Sequence, residues 1–318
     1  MAGKVALLVP VLFVVSLLTF LLLNLLPGDP AMSLLGIGAT PAALATLHHQ
    51  MHLDVPIWDR YVRWVWAALH GDLGRSYLTG VSAASSIAYH MPITLEMLLL
   101  SQVMALAIAV PLGVWSAFRP NGWIDQAATG IAFVGLAVPS FVFGVLLVYV
   151  FAVHWRVFPA TGYTHLTDNP LANLRSLVLP SLTLALGSFS VYLRVLRADM
   201  IATLQEDFIT SARSKGLSRG YILWRHAFRP SSFSLFTTLG INAGALIGGA
   251  FIVEYIFAVP GIGLLTVDSI YQRDYLVVQA CVLVVSVGYV AANVVLDILY
   301  PLLDPRTRRG AGRAAAGT

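Results

Sequence analysis

His48-His49-Gln50-Met51-His52 is the densest run of metal-ligating side chains in the chain. His48 and His52 stand four apart, one helical turn, a spacing with which a helix can hold zinc. The glutamate that a zinc hydrolase carries after its first histidine is replaced by His49, and no third ligand lies nearby. The pattern reads as a solvated or interfacial histidine cluster with adventitious metal binding at most. Gly36-Ile37-Gly38 lacks the rest of a dinucleotide fingerprint. A phosphate-binding G-x-x-x-x-G-K-[ST] loop and a G-x-S-x-G nucleophile elbow are also absent. Cys281 is the single cysteine, sits in an apolar run and reads as a small packing residue. The chain is therefore expected to bind no cofactor or metal of its own and to be non-catalytic.

The elements that position these residues are set by composition. Of 318 residues, 58% are hydrophobic and 11% charged, against about 25% charged in a soluble domain. Mean hydropathy is +0.80. Six charge-free runs are long enough for a helix of about 20 residues to cross a bilayer. They are Val5–Gly28, Met97–Phe118, Gln126–Trp155, Ser176–Leu193, Pro230–Val253 and Tyr275–Leu296. With their edges they predict spans at about 5–28, 97–118, 126–155, 176–196, 230–253 and 275–300. The fold class is all-α, a polytopic membrane protein with six transmembrane helices. One transmembrane domain covers 1–304, and residues 305–318 are expected to form a basic, disordered tail.

Six spans put both ends on one side. That side holds 13 of the 19 Lys and Arg residues: Lys4, Arg119, the seven from Arg194 to Arg229, and the four after Asp304. The excess assigns both termini to the cytoplasm of a multi-pass cell-membrane protein. It also explains the net charge of +4 without a nucleic-acid partner. Charged residues in or beside the spans, namely Glu96, Arg194, Arg197, Glu254 and Asp297, all fall at predicted edges, where snorkelling is cheap. A proton relay prefers midplane carboxylates, and an intramembrane enzyme needs paired catalytic groups within spans. Neither is present. Gln102, Ser188 and Asn242 are uncharged polar residues inside spans, readable as a polar pathway wall or as close packing of helices.

The external segment between spans one and two contains Ile57-Trp58-Asp59-Arg60-Tyr61-Val62-Arg63-Trp64-Val65-Trp66. Its aromatics suit a helix on the outer leaflet, or a cap on the bundle. His154–Arg175 reads as an external turn-rich connection, and Val259-Pro260-Gly261-Ile262-Gly263 as a turn needing glycine torsions. The longest cytoplasmic loop spans 197–230. Within it Asp199–Lys215 is helix-compatible, with Glu206 and Asp207 ahead of Arg213 and Lys215 in macrodipole order, and Gly216 ends the helix. Tyr221–Phe228 is too apolar for open water and packs on the bundle or on a partner.

A series of motifs runs along nearly the whole chain: Leu26-Pro27-Gly28-Asp29-Pro30, Gly71-Asp72-Leu73-Gly74-Arg75-Ser76, Pro92-Ile93-Thr94-Leu95-Glu96, Val138-Pro139-Ser140-Phe141 and Phe158-Pro159-Ala160-Thr161-Gly162. Leu179-Pro180-Ser181-Leu182, Glu254 to Gly263, Arg273-Asp274-Tyr275 and Asp304-Pro305-Arg306 complete it. In this order the chain resembles the first permease subunit of bacterial dipeptide and oligopeptide ABC importers. Thr210-Ser211-Ala212-Arg213-Ser214-Lys215-Gly216 corresponds to that family's EAA-type loop, departing at Thr210 and Ser211 from the general Glu-Ala.

The resemblance implies a type I ABC importer permease fold. It implies that two related permease subunits form the pathway, that two cytoplasmic ATPase domains bind ATP and Mg, and that an external binding protein delivers peptide. It places a coupling helix over Glu206–Leu217, with Glu206, Asp207, Ser211, Ala212, Arg213, Lys215, Gly216 and Leu217 as its coupling residues. Glu254, Pro260, Gly261 and Gly263 would face the binding protein or gate the pathway, and Gln102, Ser188 and Asn242 would line it. The contrasting readings are a self-sufficient secondary transporter, or an ABC permease for nickel, haem or a sugar.

Overall fold

The computed structural model describes residues 2–25, 30–35, 39–51 and 53–303. Pro27-Gly28-Asp29, Gly36-Ile37-Gly38, His52, Asp304-Pro305-Arg306 and the tail at 305–318 lie outside the described residues. Among those described, the regular elements are helices. They are α1 (Ala2–Leu25), α2 (Pro30–Leu35), α3 (Pro41–Gln50), α4 (Ile57–Leu69), α5 (Ala83–Phe118), α6 (Trp123–Ala137) and α7 (Ser140–Leu147), which widens into a π-helical turn at Val148–His154. There follow α8 (Pro170–Thr203), α9 (Asp207–Ser214), α10 (Arg219–Tyr221), which continues through a π-helical Ile222–Ala227 into α11 (Phe228–Phe257), then α12 (Ile262–Tyr271) and α13 (Tyr275–Leu303).

Three described helices are long and apolar enough to cross a bilayer: Ala83–Phe118, Pro170–Thr203 and Tyr275–Val295. Two bent helix pairs raise this to five. The remaining apolar run is carried by α1, 24 residues long, or about 36 Å at 1.5 Å per residue. The third predicted span, Gln126–Trp155, is not one straight helix. It bends by 110° between α6 and the α7 segment. Pro139 supplies no N–H and pushes the residue before it out of the helical region, and Val138 is extended at φ −88°, ψ 125°.

Other boundaries shift for equally local reasons. The helix that contains the second predicted span begins at Ala83, fourteen residues before Met97, so part of the segment between spans one and two is already α5. The connection His154–Arg175 is shorter than expected. Asn169 caps α8 by accepting from the Leu171 and Ala172 N–H groups, both at 3.1 Å, and Pro170 takes the first helical position, where its missing N–H costs nothing.

The chain divides into two compact units, residues 1–94 with 260–290, and residues 95–259 with 291–318. In the first, α4 forms as its aromatic spacing predicts. Tyr61 and Trp64 are buried beside Phe20 of α1, with the Tyr61 hydroxyl 2.9 Å from Ser16 Oγ. Trp58, Val62 and Trp66 remain exposed. A second cluster joins Ala83 and Ile87 to Ile262, Val277, Ala280 and Cys281. In the second unit α8 is central, with α6, α7 and α11 packed along it. Its core combines small residues on α5 and α6 (Ala105, Ala109, Ala128, Ala132) with Tyr192, Leu193 and Leu196. Close approach depends on glycine: a Cβ at Gly135 would sit 2.3 Å from Ser190 Oγ, and one at Gly144 3.0 Å from the Thr183 methyl.

Candidate functional site

The run Asp199–Lys215 is not one helix. α8 ends at Thr203, Leu204 closes it, and Glu206 turns extended at φ −72°, ψ 149° before α9 begins. Glu206 stands at the N-cap of α9 without a side-chain cap bond; Asp207 lies in the first turn and Arg213 in the last, each favoured by the helix dipole. Ser211 is exposed and Ala212 faces inward. Gly216 closes the helix at φ +77°. Its N–H donates to the Arg213 carbonyl at 3.0 Å and the Leu217 N–H to the Ala212 carbonyl at 3.3 Å. This paired arrangement is a Schellman cap, whose left-handed position suits glycine.

Eight residues are too few for a helix to persist alone in water, so α9 depends on this cap and on its underside. Ile209 and Ala212 are buried against Ile222, with Leu204 beside them; burying an isoleucine side chain is worth roughly 1.5–3 kcal/mol. The outer face is mixed. Phe208 (46% exposed), Trp224 (52%), Leu217 and Tyr221 are exposed, as are Arg213, Lys215 and Arg225. A groove of about 480 Å³ is lined by Phe118, Leu204, Arg213, Leu217, Arg219, Ile222 and Leu223. Exposed aromatic residues together with arginine match the composition enriched at protein interfaces.

Gln102, Ser188 and Asn242 come from three different helices, and the structure gathers them at one residue that sequence reasoning missed. The Tyr192 hydroxyl donates to Gln102 Oε1 at 2.6 Å, and Asn242 Nδ2 donates to Ser188 Oγ at 2.9 Å and to the Tyr192 hydroxyl at 3.3 Å. Tyr192 is fully buried. The four side chains thus bridge α5, α8 and α11 within the bundle. Gln102 Nε2 is buried with no hydrogen-bond partner among the described residues. Tyr192 lies in the apolar run Ser176–Leu193, where its ring reads as a packing residue.

A buried ion pair was also missed. Asp125, 3% exposed at the start of α6, accepts from Arg197 Nε and from Nη2, the latter at 2.8 Å. The Asn121 N–H at 2.7 Å also donates to it. The sequence places Arg197 at a span edge, where it could snorkel; the structure pairs it with the Asp125 carboxylate on the neighbouring helix. Glu254 corrects the same reading. It lies in the last turn of α11 but is 0% exposed. Glu96 accepts from the Tyr163 hydroxyl at 2.8 Å.

The turn after α11 does not depend on its glycines. Ala258 takes the left-handed position at φ 50°, with the Val259 N–H on the Glu254 carbonyl at 2.9 Å. Gly261 is at φ −96°, ψ −175°, open to any residue, and Gly263 lies inside α12. Pro260 follows the cap by two residues, where a helix cannot continue. The Ile262 N–H at the start of α12 donates to Thr94 Oγ1 at 2.9 Å. No cluster of three metal-ligating side chains occurs among the described residues.

Residues 109–309 match the family described as binding-protein-dependent transport system inner membrane component. Residues 3–98 match the N-terminal segment of such membrane components. The chain is 40% identical over 305 residues to a Brucella abortus (strain 2308) protein named for a peptide transport system permease, covering 96% of this chain and 97% of the relative. It is 32% identical over 329 residues to the dipeptide transport system permease protein DppB of Escherichia coli (strain K12), covering 96% of this chain and 97% of that one. The chain belongs to the binding-protein-dependent transport system inner membrane component family.

Proposed function

We propose that the chain is a permease subunit forming half of the translocation pathway of an ATP-driven importer of di- or oligopeptides. Family membership supports the transport role, and relatives named for peptide and dipeptide transport support the substrate class. The observation that carries the coupling reading is α9: a short helix capped at its C-terminal end by Gly216 and anchored by Ile209 and Ala212, with Phe208, Arg213 and Lys215 exposed. A cytoplasmic ATPase subunit binds this rim, and its ATP-driven closure moves α9 with the end of α8. The subunit itself hydrolyses nothing; ATP and Mg belong to its partners. A second permease completes the pathway, and an external binding protein supplies the peptide. Both termini lie in the cytoplasm, a reading supported by the excess of Lys and Arg on that side.

Reconstitution separates this from a self-sufficient transporter. Proteoliposomes holding both permeases and the ATPase subunits take up labelled dipeptide only with ATP and binding protein. Uptake by this chain alone, without an ATPase, overturns the reading.

A further inference from the structure

Two stripes run side by side where α6 packs along α8. On α6 they are Thr129, Phe133 and Leu136, spaced for one helical face; on α8 they are Val191, Arg194 and Val195. Between them lies a groove of about 550 Å³. Because Asp125 and Arg197 pair at one end, α6 rises away from that end as α8 runs toward it. The groove therefore grades from polar, at Thr129 and Arg197, to wholly apolar, at Leu136 and Val191. Arg194 is the first charged residue after the charge-free run Ser176–Leu193, which places it at a bilayer edge. Its guanidinium lies 5.6 Å from the Phe133 ring centroid, and among the described residues it pairs with no carboxylate, whereas Arg197 pairs with Asp125. Phe133 is 58% exposed and Leu136 44%.

We infer that this groove is a binding site for one anionic phospholipid. A phosphodiester headgroup sits on Arg194, with the donors of Arg197 that Asp125 leaves free beside it, and an acyl chain lies along Phe133, Leu136 and Val191. Charge complementarity selects the occupant. An isolated guanidinium at the membrane edge suits a phosphate oxygen in fork geometry, and the apolar continuation of the groove suits a tail that free phosphate lacks. Basic pockets between membrane helices recognise acidic headgroups for this reason.

The experiment is native mass spectrometry of the full chain released from bilayers of equal phosphatidylglycerol and phosphatidylethanolamine. One phosphatidylglycerol is expected to stay bound in preference to phosphatidylethanolamine. Arg194→Gln is expected to lower that retention at least about tenfold. Arg119→Gln, which removes an arginine that stacks on Phe118 instead, is expected to leave it unchanged. Leu136→Trp, which fills the apolar end from an exposed position, is expected to displace the lipid while Arg194 is intact. Adding inorganic phosphate is expected to compete for nothing. Equal retention in Arg194→Gln overturns the assignment, as does displacement by phosphate. A photoreactive residue at position 136 that cross-links a second permease rather than lipid gives the groove to a subunit interface and also overturns it.

Discussion

Gly216 offers a graded perturbation of α9. Its φ of +77° is left-handed, and a Cβ built there would meet nothing within 4 Å. Substitutions therefore report backbone strain alone, without steric contact. A side chain with a Cβ costs about 1–2 kcal/mol in this region. Asparagine tolerates it best, and a β-branched residue is a true outlier. The predicted order of disturbance is Asn, then Ala, then Val. A cost of 1–2 kcal/mol is comparable with the whole burial of Ile209 under α9, so Gly216→Val raises the population of undocked α9 by about 5- to 30-fold. Hydrogen exchange across residues 207–217 reads that population, and ATP-driven dipeptide uptake by the reconstituted complex reads its consequence. Gly220→Ala is the control. Gly220 has no positive φ and no neighbour within 4 Å, so exchange and uptake stay at the native level. If Gly216→Val matches Gly216→Asn in both assays, or Gly220→Ala disturbs them as strongly, the reasoning from the cap is wrong.

Other outcomes follow from the packing. Gly135→Ala drives a methyl against Ser190 Oγ, and overpacking of this kind costs about 1–3 kcal/mol, read as a lower thermal midpoint in detergent. Arg197→Met strands the Asp125 carboxylate and lowers stability by about 3 kcal/mol, the low end for a broken buried pair, since Arg197 is 28% exposed; Asp125→Asn in the same chain recovers part of the loss in thermal melts. Tyr192→Phe removes the hydroxyl shared by Gln102 and Asn242 and costs about 1 kcal/mol, typical of hydrogen bonds between membrane helices. Ala258→Gly relieves the left-handed alanine and raises stability by about 1 kcal/mol, seen as a small rise in the same midpoint.

Hydropathy and charge located the apolar runs because a bilayer imposes a length and forbids charge, and both are written locally in the chain. The bend at Pro139 was also written there, in a proline within an apolar run; length alone made Gln126–Trp155 look continuous. The segment Thr210–Gly216 stood out by residue order, and Gly216 marked the end of its helix. The break at Leu204–Glu206 was hidden by a sequence that suits a helix throughout. Tertiary pairing was the least visible. Nothing local links Asp125 to Arg197, 72 positions apart, or seats Gln102 and Asn242 on Tyr192. Glu254 looked like an edge residue because its run ends there, yet the chain buries it. The glycines of the 259–263 turn drew attention by type, while the left-handed torsion fell on Ala258, a residue type that gives no such signal.

The central claim is that an ATPase subunit rests on α9, and a single thiol tests it directly. Cys281 is buried, so Ser214→Cys, on the exposed face of α9, adds one accessible cysteine. In membranes holding the full complex, a short thiol-to-amine cross-linker is predicted to join residue 214 to the ATPase subunit, with a yield that changes between nucleotide-free and ATP-bound states. Cross-linking to the external binding protein, or none to the ATPase in either state, would contradict the account.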